Sequence, residues 1–127
     1  MVGNSELYAA LNVTAITNLL STYGSGKALI NDAILPETLT ATSTSILYYP
    51  NGIFSGALDY GRYQFSVNCR APSYSGSRTL AETVQTEINR VSYSDYYIVA
   101  SVLQTIPPQD STDNYNTPVS VILKTRN

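Results

Sequence analysis

The stretch RYQFSVNCRA, Arg62 to Ala71, constrains the fold more than any other part of the chain. Apolar Tyr63, Phe65, Val67 and Cys69 alternate with polar Arg62, Gln64, Ser66, Asn68 and Arg70. A period of two puts each set on its own face of an extended strand, one face dry and the other wet. Once packed beneath helices, each larger side chain of the dry set contributes about 1.5 to 3 kcal/mol before conformational entropy is deducted.

The rest of the chain supplies partners for that strand. From Asn4 or Ser5 to Gly24 and Gly26, Leu7, Leu11, Ala15, Leu19 and Tyr23 recur every fourth residue, and Ala10, Ile16 and Leu20 widen the stripe. This predicts one amphipathic helix of about 18 residues, roughly 27 Å long, with YGSGK at its C-cap. Lys27 to Pro36 is compatible with a short strand, and Pro36 bars a helix from running through it. Thr40 to Tyr49 is β-branched and aromatic and ends at PNG, which predicts a strand followed by a turn. With Arg62–Ala71 it forms a hairpin connected by residues 50–61. A second helix is expected from Ser75 or Ser77 as N-cap, with Leu80, Ala81, Val84, Ile88 and Val91 inward and Arg78, Glu82, Gln85, Glu87 and Asn89 mostly toward water. Tyr96 to Thr105, apolar in both registers, reads as a strand covered on both faces. Pro118 to Thr125 is the last strand. The order predicts an α+β fold, a mostly antiparallel sheet of four to five strands with two helices packed on one face.

At 127 residues the chain fits a single domain, residues 1–127, able to enclose a core without disulfides or a metal. Charged residues make up 13%, about half the usual share, and Ser, Thr, Asn and eleven tyrosines supply the polarity. Small hydroxyls and tyrosine lose little side-chain entropy on ordering against a partner, so extensive protein contact is one explanation, and a compositional bias of the source genome is the other. A net charge of −2 argues against broad phosphate binding, which needs clustered cations. The lone Cys69 reads as a small buried hydrophobe. No apolar run reaches the ~20 residues that span a bilayer, and the N-terminus carries no secretory pattern, so a soluble, unprocessed chain made in a reducing cytoplasm is expected.

The chain has no histidine, which removes Ser/His/Asp and Cys/His nucleophiles, imidazole metal sites and the commonest general base. One cysteine cannot hold a thiolate zinc site. Of the carboxylates, Glu82 and Glu87 do not share a helix face, and Asp110 and Asp113 fall in a polar loop where solvation is the ordinary explanation. Neither catalysis nor a cofactor or metal is expected. Tyr48 with Tyr49, and Tyr96 with Tyr97, are adjacent pairs; on strands one ring of each pair belongs to the core, which leaves stacking on carbohydrate or nucleobases without an evident platform.

Residues Tyr60 to Val91, YGRYQFSVNCRAPSYSGSRTLAETVQTEINRV, resemble the tail terminator (tail completion) proteins of long-tailed bacteriophages, the lambda-like minor tail proteins. The likeness lies in an N-terminal helix, a strand ending in a YY-type run, an alternating strand closed by Arg, Ala and a Ser-rich turn, a helix of the form S.SRTLAETVQTEI, and two closing strands. It implies a non-catalytic virion subunit, assembled in the host cytoplasm. Such a subunit forms a homo-oligomeric ring, typically a hexamer, on the last ring of tail-tube protein, stops tube growth and joins the tail to the head connector or stopper. Neither a membrane nor sequence-specific nucleic acid is among the implied partners. The neighbouring readings are another neck or head-completion protein, a ligand-binding domain using its tyrosines, and an enzyme working with carboxylates alone.

A ring needs a heterologous interface, one patch meeting a different patch on the next copy. The candidates are Ile53, Phe54 and Tyr60 in the hairpin connection, Asp110, Asp113 and Tyr115 in the late loop, and Arg62 and Arg70 on the wet face. Each has a plainer reading: Ile53 and Phe54 fold onto the core, the aspartates are solvated, and an exposed Arg pair is worth under ~1 kcal/mol.

Overall fold

The computed structural model describes residues 4–32, 34–36, 39–55, 61–89, 92, 96–110 and 113–125. The elements are α1 (Asn4–Leu11), α2 (Thr14–Thr17), β1 (Thr22–Tyr23), β2 (Gly26–Lys27), β3 (Leu29–Ile30), β4 (Ser45–Ser55), β5 (Gly61–Ala71), α3 (Tyr74–Ile88), β6 (Tyr96–Val102) and β7 (Tyr115–Thr125). The fold is α+β. Its main sheet has five strands in the order β3-β4-β5-β7-β6, and β1 and β2 form a separate two-stranded ribbon.

The sheet is mixed, which corrects the expectation of a mostly antiparallel one: β3 runs parallel to β4, while β4–β5, β5–β7 and β6–β7 are antiparallel. The parallel pair arises because the chain, after pairing Leu29 and Ile30 with Ile46 and Leu47, crosses back before β4 begins.

The predicted N-terminal helix is broken, so the described residues hold three helices where two were expected. The inward residues show where the break falls. Leu7, Ala10 and Leu11 are buried, and so are Ile16 and Leu20, five and nine residues past Leu11, whereas Ala15, Leu19 and Tyr23 are exposed. A continuous helix would keep one phase. At Asn12 and Val13 the phase slips by one residue, with Val13 extended at φ −120°, ψ 151°. YGSGK is not a helix cap but the tip of the β1–β2 hairpin, where Thr22 pairs with Lys27 and Tyr23 with Gly26. Gly24 turns that tip at φ 60°, a left-handed conformation glycine adopts without a Cβ clash.

On β5 the alternation holds. Phe65, Val67 and Cys69 are buried and Gln64, Ser66, Asn68 and Arg70 half-buried, with Tyr63 packed against the edge of the core. Their dry face meets Leu7, Leu11 and Ile16 from α1 and α2, and Leu80, Val84 and Ile88 from α3, in one cluster with Ile98, Val119, Val121 and Leu123. The helices therefore lie on one face. Tyr48 and Tyr96 are buried while Tyr49 and Tyr97 are half-buried, as adjacency on a strand requires.

Several elements differ from expectation in their bounds or their cover. β4 does not turn at Pro50-Asn51-Gly52 but runs on to Ser55 through a register shift, tolerable because beyond Leu47 its outer side pairs with no described strand and Pro50 need not donate there. The N-cap of α3 is Ser73, whose Oγ accepts from the Gly76 N–H at 3.0 Å, so Ser75 and Ser77 are inside the helix. β6 is an edge strand with one buried side, not a strand covered on both: Tyr97 and Val99 face away from the core cluster and stay half-exposed. β7 begins at Tyr115, three residues before the expected start. Val91 and the hairpin connection 56–60 lie outside the described residues.

Candidate functional site

The sheet brings α3's first turn, the end of β5, the start of β7 and the exit of β6 to one end of the molecule. Tyr74 there stands edge-on to Tyr115, ring centres 6.2 Å apart and planes at 88°, a geometry that aromatic quadrupoles favour. The Leu103 N–H donates to the Pro118 carbonyl, and Ile106 and Asn116 exchange backbone hydrogen bonds of 2.7 and 3.0 Å, which folds the β6–β7 connection back onto β7. Tyr74, Leu103 and Ile106 are nevertheless 58, 48 and 49% exposed. At the start of α3 a cleft of about 260 Å³ is lined by Leu19, Thr44, Ser73, Gly76, Thr79 and neighbouring residues, none of them charged. A Cβ at Gly76 would lie 2.9 Å from Ser73 Oγ, so a larger residue there would displace the capping hydroxyl.

On the dry side of this end the buried polar groups are satisfied. Ser77 Oγ donates to the Cys69 carbonyl at 2.8 Å, its oxygen is 2.7 Å from Thr117 Oγ1, and Thr117 is 2.8 Å from Thr105 Oγ1. On the face away from the helices, Ser45, Arg70 and Asn116 stand directly opposite one another across β4, β5 and β7. Arg70 forms an ion pair with Asp113, and Asn114 Nδ2 donates to the carbonyls of Ala41 and Ser43 at 2.8 and 3.2 Å. The ion pair and the amide together fasten the segment before β4 and the start of β7 to the central strand. The buried atoms Ser45 Oγ, Arg70 Nε, Asn114 Oδ1 and Asn116 Oδ1 have no hydrogen-bond partner among the described residues, so this polar row stabilises less than its bonded counterpart across the sheet.

The sequence-predicted residues divide accordingly. Arg70 and Asp113 meet each other, 43 residues apart in sequence, which occupies Arg70 within its own chain. The Asp113 N–H donates to the Asp110 carbonyl at 3.2 Å, and Asp110 is exposed. Tyr115 is half-buried beneath Tyr74. Ile53 and Phe54 belong by backbone to β4, opposite Tyr63 and Arg62 of β5, at the far end of the sheet. The side chains of Ile53, Phe54 and Arg62, and Tyr60 altogether, lie outside the described residues.

Sequence reasoning assigned Arg78, Gln85 and Asn89 to water, but they turn toward β6. Arg78 Nη1 donates to the Leu103 carbonyl at 3.0 Å, Gln85 Nε2 to the Ala100 carbonyl at 3.2 Å, and the Ala100 N–H donates to Asn89 Oδ1 at 2.9 Å. Their spacing of seven and four residues is a helical stripe, which sets them apart from Glu87 on the opposite face; Glu82 shares the stripe and pairs with Arg78 at 3.4 Å.

Burial raises the Cys69 thiol well above its ordinary value, so it is inert as a nucleophile. Tyr48 is raised by burial and, less, by the nearby Tyr8. Among the described residues, no three Cys, Asp or Glu side chains gather as a metal site. Nor is any described helix long and apolar enough to cross a membrane. No protein-family model matches the chain, and neither does any curated protein.

Proposed function

We propose that the chain is a structural subunit that docks onto copies of itself in a closed ring, serving as a tail terminator that caps a phage tail tube and joins it to the head connector. The observation that carries this reading is the exposure of Leu19, Tyr74, Leu103 and Ile106 around the N-terminal turns of α3, at one end of the sheet. Apolar side chains exposed at one end of the sheet suit a heterologous contact, in which they meet a different surface of the next copy. The lack of charge in the adjoining cleft suits a contact role better than a chemical one.

The test combines light scattering with electron microscopy of the purified chain, alone and with a tail-tube protein. A closed ring in the wild type, lost in a Tyr74→Asp, Leu103→Asp variant that still unfolds cooperatively at the wild-type temperature, supports the reading. A wild-type chain that stays monomeric at high concentration and on tube ends overturns it.

A further inference from the structure

An edge strand offers unpaired N–H and C=O groups to any extended chain. On β6 the outward groups of Ala100 are taken. Val99 and Ser101 face Ile122 and Ser120 of β7 in the ladder, while Ala100 turns its N–H and carbonyl outward, where Asn89 Oδ1 and Gln85 Nε2 bind them as an incoming strand would. Ser92 bridges antiparallel to Tyr97 on the same outer side. Past the end of the strand Arg78 binds the Leu103 carbonyl. The two elements run antiparallel and are commensurate. Seven residues of helix from Arg78 to Gln85 advance about 10 Å, and three residues of strand from Leu103 back to Ala100 advance about 10 Å.

We propose that Arg78, Gln85 and Asn89 form a guard that denies the β6 edge to an extended strand from a second copy of this chain. A side-chain amide offers the same donor and acceptor as a peptide group, so Gln85 and Asn89 complete the hydrogen bonding of Ala100 without a strand being present. The stripe sits on a helix anchored by Leu80, Val84 and Ile88, all fully buried, so it is held in place by the core. The complementary edge is β4, which from Tyr48 to Ser55 pairs only with β5 among the described residues. Removing the guard leaves β6 of one copy open to the stretch of β4 beyond Pro50, Gly52 to Ser55, in the next, a head-to-tail pairing that does not close on two chains. The inference is independent of the ring reading, because it compares a variant with the wild type whatever size the wild type has.

The experiment uses the full chain with Gln85→Ala and Asn89→Ala together, followed by light scattering across a concentration series and by the intermolecular-strand band in the amide infrared spectrum. The double variant is expected to grow with concentration beyond the wild-type mass and to gain that band, whereas Asn89→Asp, which keeps the acceptor, behaves as wild type. As a second measurement, hydrogen exchange of the Ala100 amide is expected to be about tenfold faster in Asn89→Ala, the loss of one hydrogen bond, with the Val99 and Ser101 amides unchanged. A double variant that folds with the wild-type mass distribution overturns the proposal, as does an Ala100 amide whose exchange is indifferent to Asn89.

Discussion

The two edges of the main sheet face the same hazard and meet it differently. On β4, beyond the two residues covered by β3, the chain carries Pro50 and a register shift before Gly52, so one outward donor is missing and the edge is bent. On β6 the donors and acceptors remain intact, and those of Ala100, with the Leu103 carbonyl just past the strand, are bound by side chains from α3 and its C-cap. The first device is covalent and local. It survives any loosening of the helices, whereas the second exists only while α3 is docked. Protection of β6 is therefore tied to the stability of the core, and protection of β4 is not.

The strongest way to break this asymmetry is to loosen the helix. Ile88 is fully buried in the last turn of α3, one residue before Asn89. Ile88→Ala is expected to cost about 2 to 5 kcal/mol in urea unfolding. Amide exchange should rise along α3 and at Ala100 together, with the β4–β5 ladder least affected. Equal loosening of both edges would show that the sheet opens as a unit and that the contrast is illusory.

A subtler test uses Cys69, which sits on β5 between the edges and is fully buried. Because burial holds its folded-state pKa above the unfolded value, the unfolded chain gives up this proton first. The stability so contributed is fully present below the ordinary thiol pKa of about 8.5 and is lost as pH rises above it. Tyr48, also raised, adds the same trend above the ordinary tyrosine value of 10.0. Urea midpoints should fall from pH 8 upward, and less steeply in Cys69→Ala. Labelling of the thiol should be faster in Ile88→Ala than in the wild type, since it requires the core to open.

The smallest effect on stability is expected at Pro50. Pro50→Thr restores an N–H on the outer side of β4, and stability should change by less than about 1 kcal/mol because no bond within the chain depends on that position. Association at high concentration should nonetheless increase, measured by light scattering. A variant that neither associates nor changes in amide exchange along β4 would assign the protection of that edge to something other than the proline.

Much of this architecture was legible from residue order, and the failures have specific causes. The alternation in Arg62–Ala71 and the spacing of Leu80, Ala81, Val84 and Ile88 report burial directly, because each depends on one local period. The N-terminal stripe misled because Ala15, Leu19 and Tyr23 continue the phase of Leu7 and Leu11 by coincidence, while the buried Ile16 and Leu20 carry the shifted phase. Ser77 looked like a cap because hydroxyls favour caps, yet its partners are Thr117 and the Cys69 carbonyl, brought close by the sheet. Of the interface candidates, Arg70 and Asp113 had no local sign of their partnership, and Tyr115 none of its contact with Tyr74.

By itself, the sequence determined the strand at the centre, the face it buries and the helix that covers it, because each is written within a few consecutive residues as a period. Only the tertiary structure decided that the sheet is mixed, that Arg70 and Asp113 neutralise each other, and that a polar stripe on a helix guards the far edge. Those outcomes rest on pairings between distant segments, whose energy depends on distances that no local pattern encodes.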